Sequence, residues 1–236
     1  MKLGIIGAMS VEIETLKNAM ANPVATERAG MVFYEGQLEG LDVVVVVCGV
    51  GKVNAAMCVQ VLCDCFGVTH VLNTGIAGSL YSDLDIGDFV ISQDAMYHDF
   101  NCHNLNPAYA IGQVPGLPVL RFPADQMLID CAKNAAQQLD SAHVMVGTVA
   151  SGDQFVCWDD VKQSIIENTQ ALCTEMEGAA IAHTAWKNQI PFVIIRAISD
   201  KADHSVEMEY PVFEAMAAKN CAMLTKTVAK YLSEHM

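Results

Sequence analysis

The chain has 236 residues, is 53% hydrophobic and 17% charged, and carries a formal net charge of -14. That length suits a single domain, 1–236, with a large core. The acidic balance excludes a nucleic-acid binder, because phosphate backbones are held by clusters of Lys and Arg and no basic stripe is present. The small share of charge points to apolar surface hidden between subunits. The nine scattered cysteines include Cys48, Cys58, Cys131 and Cys221 inside apolar runs, which reads as buried free thiols in a reducing cytoplasm. The longest apolar run, 43–51, is too short to span a membrane.

Strand-like apolar runs fall at 3–6, 43–48, 70–72, 89–92, 144–149, 171–176 and 192–198. Helical periodicity lies between several of them. Ser10 is placed to cap a helix through Met20, with Ile13 and Leu16 on one face. A second helix covers 53–66. Met127, Leu128, Cys131, Ala135 and Leu139 mark a third, and 177–187 a fourth. The last is expected to start after Pro211 and to run through Phe213, Met216, Ala217, Cys221, Leu224, Val228 and Leu232. Continuous hydrophobic strands are buried on both faces, so the fold class is α/β, a three-layer α/β/α sandwich. The stretch 100–124 holds Pro107, Pro115, Pro118, Pro123 and Tyr109. A loop of that length in a compact domain is usually functional or interfacial.

Familiar nucleotide motifs are absent. The Gly4-Ile-Ile-Gly7 turn lacks the third glycine of a dinucleotide fingerprint, and Gly49-Val-Gly51-Lys52 has Val at both flanking positions that a P-loop requires as Gly and Ser/Thr. His98, Asp99 and His103 lack a fourth ligand, so neither a metal nor a cofactor is expected.

Polar clusters instead follow apolar strands. They are Glu12 after strand one, Asn73-Thr-Gly-Ile-Ala-Gly78, Glu175-Met-Glu177, and Arg196-Ala-Ile-Ser-Asp-Lys201. Each has a local explanation, such as a carboxylate favoured by a helix N-terminus or an Asp in a turn. All four, however, sit at carboxyl ends of strands, where open α/β sheets bind ligands.

Together with Gly7-Ala8-Met9 and Ser151-Gly152-Asp153 with Phe155, these segments resemble the 5′-methylthioadenosine/S-adenosylhomocysteine nucleosidase family, in order and spacing along the whole chain. The resemblance implies a nucleoside phosphorylase-like fold with a central mixed sheet, a homodimer, and an adenine nucleoside substrate whose N-glycosidic bond is hydrolysed in methionine salvage. It also implies roles. Asp200, oriented by Ser199, is the general acid at N7 of adenine and needs a raised pKa in a dry pocket. Glu12 is the base for the attacking water, and Glu177 grips the ribose hydroxyls. Arg196 anchors Glu177. Phe155 stacks on adenine and Val156 bonds it through its backbone. Ala8, Met9, Gly78, Met176 and Tyr210 line the pocket, and Tyr109 caps it from the partner subunit.

Two departures stand out. Position 76, usually Ser in bacterial relatives, is Ile, and the segment between His98 and Gly112 is two residues longer than the family pattern. The alternatives are an aminodeoxyfutalosine-type nucleosidase of the same fold, or a non-catalytic nucleoside-binding paralogue. Phosphorolysis is disfavoured, because positions 73 and 76 lack the Arg and the hydroxyl that hold phosphate in related phosphorylases.

Overall fold

The computed structural model describes residues 1–139, 143–204 and 206–235. In chain order its elements are β1 (Lys2–Gly7), α1 (Ser10–Ala19), β2 (Ala21–Arg28), β3 (Met31–Leu38), β4 (Leu41–Val47), α2 (Lys52–Phe66), β5 (His70–Ser79), β6 (Phe89–Tyr97), β7 (Phe122–Pro123), α3 (Gln126–Ala136), β8 (Val144–Ser151), α4 (Asp159–Thr169), β9 (Cys173–Glu175), α5 (Gly178–Lys187), β10 (Phe192–Asp200) and α6 (Val206–His235).

The strand pattern decides the layering. Along β1 and β4 successive side chains point to opposite faces. Leu3, Ile5, Val43 and Val45 pack with Ile13 and Leu16 of α1 and with Cys221, Leu224 and Val228 of α6, and α3 joins this layer through Leu128 and Ile129. Ile6, Val44 and Val46 face the other way, onto Cys58, Val59 and Leu62 of α2 and Ile181 and Ala185 of α5. Helices therefore cover both faces of a mixed sheet, as the unbroken apolar runs require.

The sheet also closes on part of itself. β5 pairs with β10 in parallel and with β9 antiparallel, β9 and β6 each pair with β8 in parallel, and β6 returns antiparallel to β10. From this ring of five strands the sheet continues through β1, β4, β3 and β2. The ring brings the ends of β5, β9 and β10 together around one hollow.

Several local expectations are corrected. Residues 73–78 continue β5 rather than lying beyond its end, with Gly75 and Gly78 leaving room for neighbouring side chains. Ser10 is the first helical residue, with Met9 at the N-cap position. α3 stops at Ala136, short of Leu139. α6 begins at Val206, so Pro211 lies in its second turn. A proline there forfeits one backbone hydrogen bond, a small loss in a 30-residue helix whose residues from Ala217 to Leu232 pack on the core. The edge strand β2 is exposed at every position but one and carries Pro23, so no hydrophobic alternation announces it. α4 buries only Ile165 and Thr169 and is equally silent in the sequence. All nine cysteines are free. Among the described residues no helix is long and apolar enough to cross a membrane.

Candidate active site

A pocket of about 230 Å³ opens at the strand ends, and the residues lining it include Glu12, Glu175, Glu177, Arg196, Ser199 and Asp200. Ala8, Met9, Ile76, Gly78, Phe155, Val156, Met176 and Tyr210 complete much of its wall. Glu12, Glu177 and Asp200, separated by up to 188 positions in the chain, are each at most 3% exposed. Such carboxylates are costly to bury unless partnered.

Arg196 is the main partner. It is 1% exposed and projects from the middle of β10. Its Nη2 donates to Glu175 Oε2 and to Asn73 Oδ1, the latter at 2.6 Å, and lies 3.6 Å from Glu177 Oε2. Its Nη1 lies 3.9 Å from Glu12 Oε1. Arg196 thus holds Glu177 as an ion pair, while its direct hydrogen bond to a carboxylate goes to Glu175. Glu175 also accepts from the Ser151 hydroxyl and from the backbone N–H groups of Glu177 and Gly178. Neither Glu175 nor Asn73 received a role from sequence. The available signal was the i, i+2 spacing of Glu175 and Glu177 at the end of a strand. Gly75 makes room for the cluster, since a Cβ there would overlap Arg196 Nη1 and Glu12 Oε1.

Glu12 caps α1 and lines the pocket at once. One carboxylate oxygen accepts from the N–H groups of Ala8 (2.7 Å) and Met9 (2.9 Å), the other from Ile76 N–H (3.1 Å). The helix-capping reading of this residue therefore holds, because the first N–H groups of a helix have no internal partner. Burial raises its pKa, and Arg196 and the three N–H groups oppose that rise without cancelling it. A carboxylate so poised suits a general base.

Glu177 accepts from Gly51 N–H at 2.8 Å, at the start of α2. Burial, then the neighbouring Glu175, push its pKa up to about 7 from 4.5. Between those values the folded protein holds a proton that the unfolded chain releases. Stability therefore falls as pH rises through this window, and the full penalty is present above about pH 7. Glu177→Gln removes the penalty, on the order of 1–3 kcal/mol. The variant is expected to melt several degrees above the wild type at pH 8, with the gain vanishing toward pH 4.5; calorimetry at both pH values checks this. A gain that persists unchanged at acid pH would contradict it.

Asp200 ends β10 after an irregularity in its register with β5, where Ile198 pairs with Ala77 but Asp200 with Gly78. The extra residue, Ser199, re-aims the chain as bulges do. Asp200 Oδ2 accepts from the Ser199 hydroxyl at 2.8 Å, and Oδ1 from Ala202 N–H at 2.8 Å. Gly78 is required beside it: a Cβ there would stand 2.8 Å from Asp200 Oδ1 and 2.7 Å from Ala202 Cβ.

The wider wall follows the expected residues. Phe155 stands half-exposed at the rim with its ring edge-on to Tyr210, centroids 5.3 Å apart. The Tyr210 hydroxyl donates to Glu214 Oε1 (3.2 Å) and approaches Met9 Sδ (3.9 Å). Met176 and Val156 line the interior. Ile76 turns an apolar surface to the cavity while its N–H serves Glu12. Tyr109 is not among the pocket-lining residues of its own chain, and its backbone N–H donates to Asn106 O.

This architecture defines a class. The family model described as "Phosphorylase superfamily" matches residues 2–230, a span that includes all five strands of the ring. A methylthioadenosine/S-adenosylhomocysteine nucleosidase of Geobacillus thermodenitrificans is 42% identical over 95% of this chain and 94% of its own length. The crystal structure of the Neisseria meningitidis nucleosidase of that name, in complex with methylthio-immucillin-A, superposes with a TM-score of 0.93 at 39% identity, covering 97% of this chain and 98% of that one. The Colwellia psychrerythraea nucleosidase in complex with adenine gives a TM-score of 0.94 at 37% identity, covering 98% and 96%. The chain belongs to the 5′-methylthioadenosine/S-adenosylhomocysteine nucleosidase family.

Proposed function

We propose that this protein hydrolyses the N-glycosidic bond of 5′-methylthioadenosine and S-adenosylhomocysteine, and of 5′-deoxyadenosine, releasing adenine and the 5′-substituted ribose. The observation that carries this reading is the meeting of Glu12, Glu177 and Asp200 in one pocket around Arg196.

The chemistry follows from position. Adenine leaves poorly as an anion, so Asp200 delivers a proton to N7 while Ser199 and Ala202 hold its carboxyl group in place. As the bond breaks the ribose gains oxocarbenium character, and Glu177 stabilises it through the sugar hydroxyls, with Met176 against the sugar face. Glu12 takes a proton from the attacking water. Arg196 keeps the two glutamates at fixed distances and, being tied to Glu175 and Asn73, does not swing toward the substrate. Phe155 stacks on adenine and Val156 bonds it through its main chain.

Water rather than phosphate is the acceptor. Among the lining residues Arg196 is the sole cation, set against Glu12, Glu175, Glu177 and Asp200. A phosphate dianion meets net repulsion there. Position 73 is Asn and is already engaged with Arg196, and position 76 offers only an alkyl side chain.

We further infer a homodimer acting in the reducing cytoplasm. Val50, just before α2, and Val53 and Met57 in its first turns are exposed next to the pocket mouth that Val50 lines, and a partner would cover them. In such a dimer Tyr109 of the other subunit caps the 5′ end of the site.

Purified protein should release free adenine from methylthioadenosine without added phosphate and with no sugar phosphate formed, as followed by chromatography. Absence of adenine sinks the nucleosidase reading. A clear preference for aminodeoxyfutalosine in the same panel would shift the substrate, and phosphate dependence would restore a phosphorylase.

A further inference from the structure

Thr174 sits in β9, is 5% exposed and lines the pocket. Its hydroxyl oxygen is buried and has no hydrogen-bond partner among the described residues. A valine would fill the same volume on this strand without burying a polar atom. A hydroxyl without an internal partner is costly unless something else satisfies it. The residue lines the cavity, and a turn about its Cα–Cβ bond exchanges the methyl and hydroxyl positions and presents the hydroxyl to a ligand there.

The sheet register says which part of a ligand it faces. Thr174 pairs with Gly78 across β9 and β5, and Gly78 pairs in turn with Asp200 across β5 and β10. One lateral row thus runs Thr174, Gly78, Asp200, and all three line the pocket. Gly78 contributes no side chain, so the floor between the two polar groups is bare backbone. Resting on the nucleosidase reading, a planar adenine above Gly78 that offers N7 and its amine to Asp200 turns its opposite edge toward Thr174. That edge carries a single acceptor, N3.

We propose that Thr174 is a specificity-determining contact whose hydroxyl donates a hydrogen bond to N3 of the purine. Electron density builds on the base as the glycosidic bond lengthens, so the bond to N3 tightens toward the transition state and assists departure. It also selects against bases that lack an acceptor at that position, since an unsatisfied buried polar group is left behind when they bind.

The test compares binding of adenine and of 3-deazaadenine, in which N3 is replaced by C–H, to the wild type, Thr174→Val and Thr174→Ser. The wild type should favour adenine by about tenfold more than the valine variant does, the worth of one neutral hydrogen bond. The serine variant, which keeps the hydroxyl, should retain that preference. Taking the ratio within each protein cancels intrinsic differences between the two bases and any general loosening of the fold. An adenine preference equal in wild type and Thr174→Val overturns the contact and leaves the nucleosidase reading standing. Failure of the wild type to bind adenine at all overturns both.

Discussion

Asp200→Asn is expected to lower turnover of methylthioadenosine by about 10²–10⁴-fold while the protein still folds and still binds the nucleoside. The substitution is nearly isosteric. An amide oxygen can accept from Ala202 N–H as Oδ1 does now, and the amide nitrogen can donate to the Ser199 hydroxyl, which already sits 2.8 Å from Oδ2. What the amide cannot do is pass a proton to N7. Single-turnover kinetics separate the two effects, with a lost chemical step alongside near-normal binding. Turnover within tenfold of the wild type would remove Asp200 from the role of acid, and a collapsed melting temperature would mean that its role is structural.

Arg196→Leu should be the most damaging change to the fold. The side chain is 1% exposed and neutralises Glu12, Glu175 and Glu177 at once. Its removal leaves three buried carboxylates without a countercharge. Deleting one member of a buried ion pair typically costs about 3–5 kcal/mol. The sign of the pH dependence distinguishes this cause from a packing defect. Glu12 and Glu177 already have raised pKa values with Arg196 present, and the guanidinium opposes that rise in both. Without it the folded state holds protons to still higher pH, so stability is lost more steeply as pH rises from acid toward neutral. Urea unfolding at pH 5.5 and pH 8 should therefore show the variant partly recovering at the lower value. A loss below about 1 kcal/mol, or one independent of pH, would refute the account.

The individual elements differ in how far the sequence disclosed them. β1, β4, β6, β8 and β10 were legible because buried strands need unbroken apolar side chains. β2 was not, because an exposed edge strand has no hydrophobic face to declare. The start of α6 was misplaced because proline is a common first residue of a helix, whereas here the helix already begins at Val206. The roles of Asn73 and Glu175 stayed hidden for another reason. Both serve Arg196 from other strands, and hydrogen bonds across strands leave no local pattern in the chain.

The sequence alone determined the layered α/β class and the placing of acidic residues just beyond apolar strands, since these depend on residue type and order. Only the tertiary structure decided that β5, β9 and β10 meet through a closed ring of strands. It also decided that Glu175 takes the arginine's hydrogen bond while Glu177 accepts from Gly51 N–H, and that Thr174 lies in register with Asp200 across Gly78. Register and closure depend on how distant strands pair, and that pairing is fixed by the packing of the whole chain rather than by any one segment.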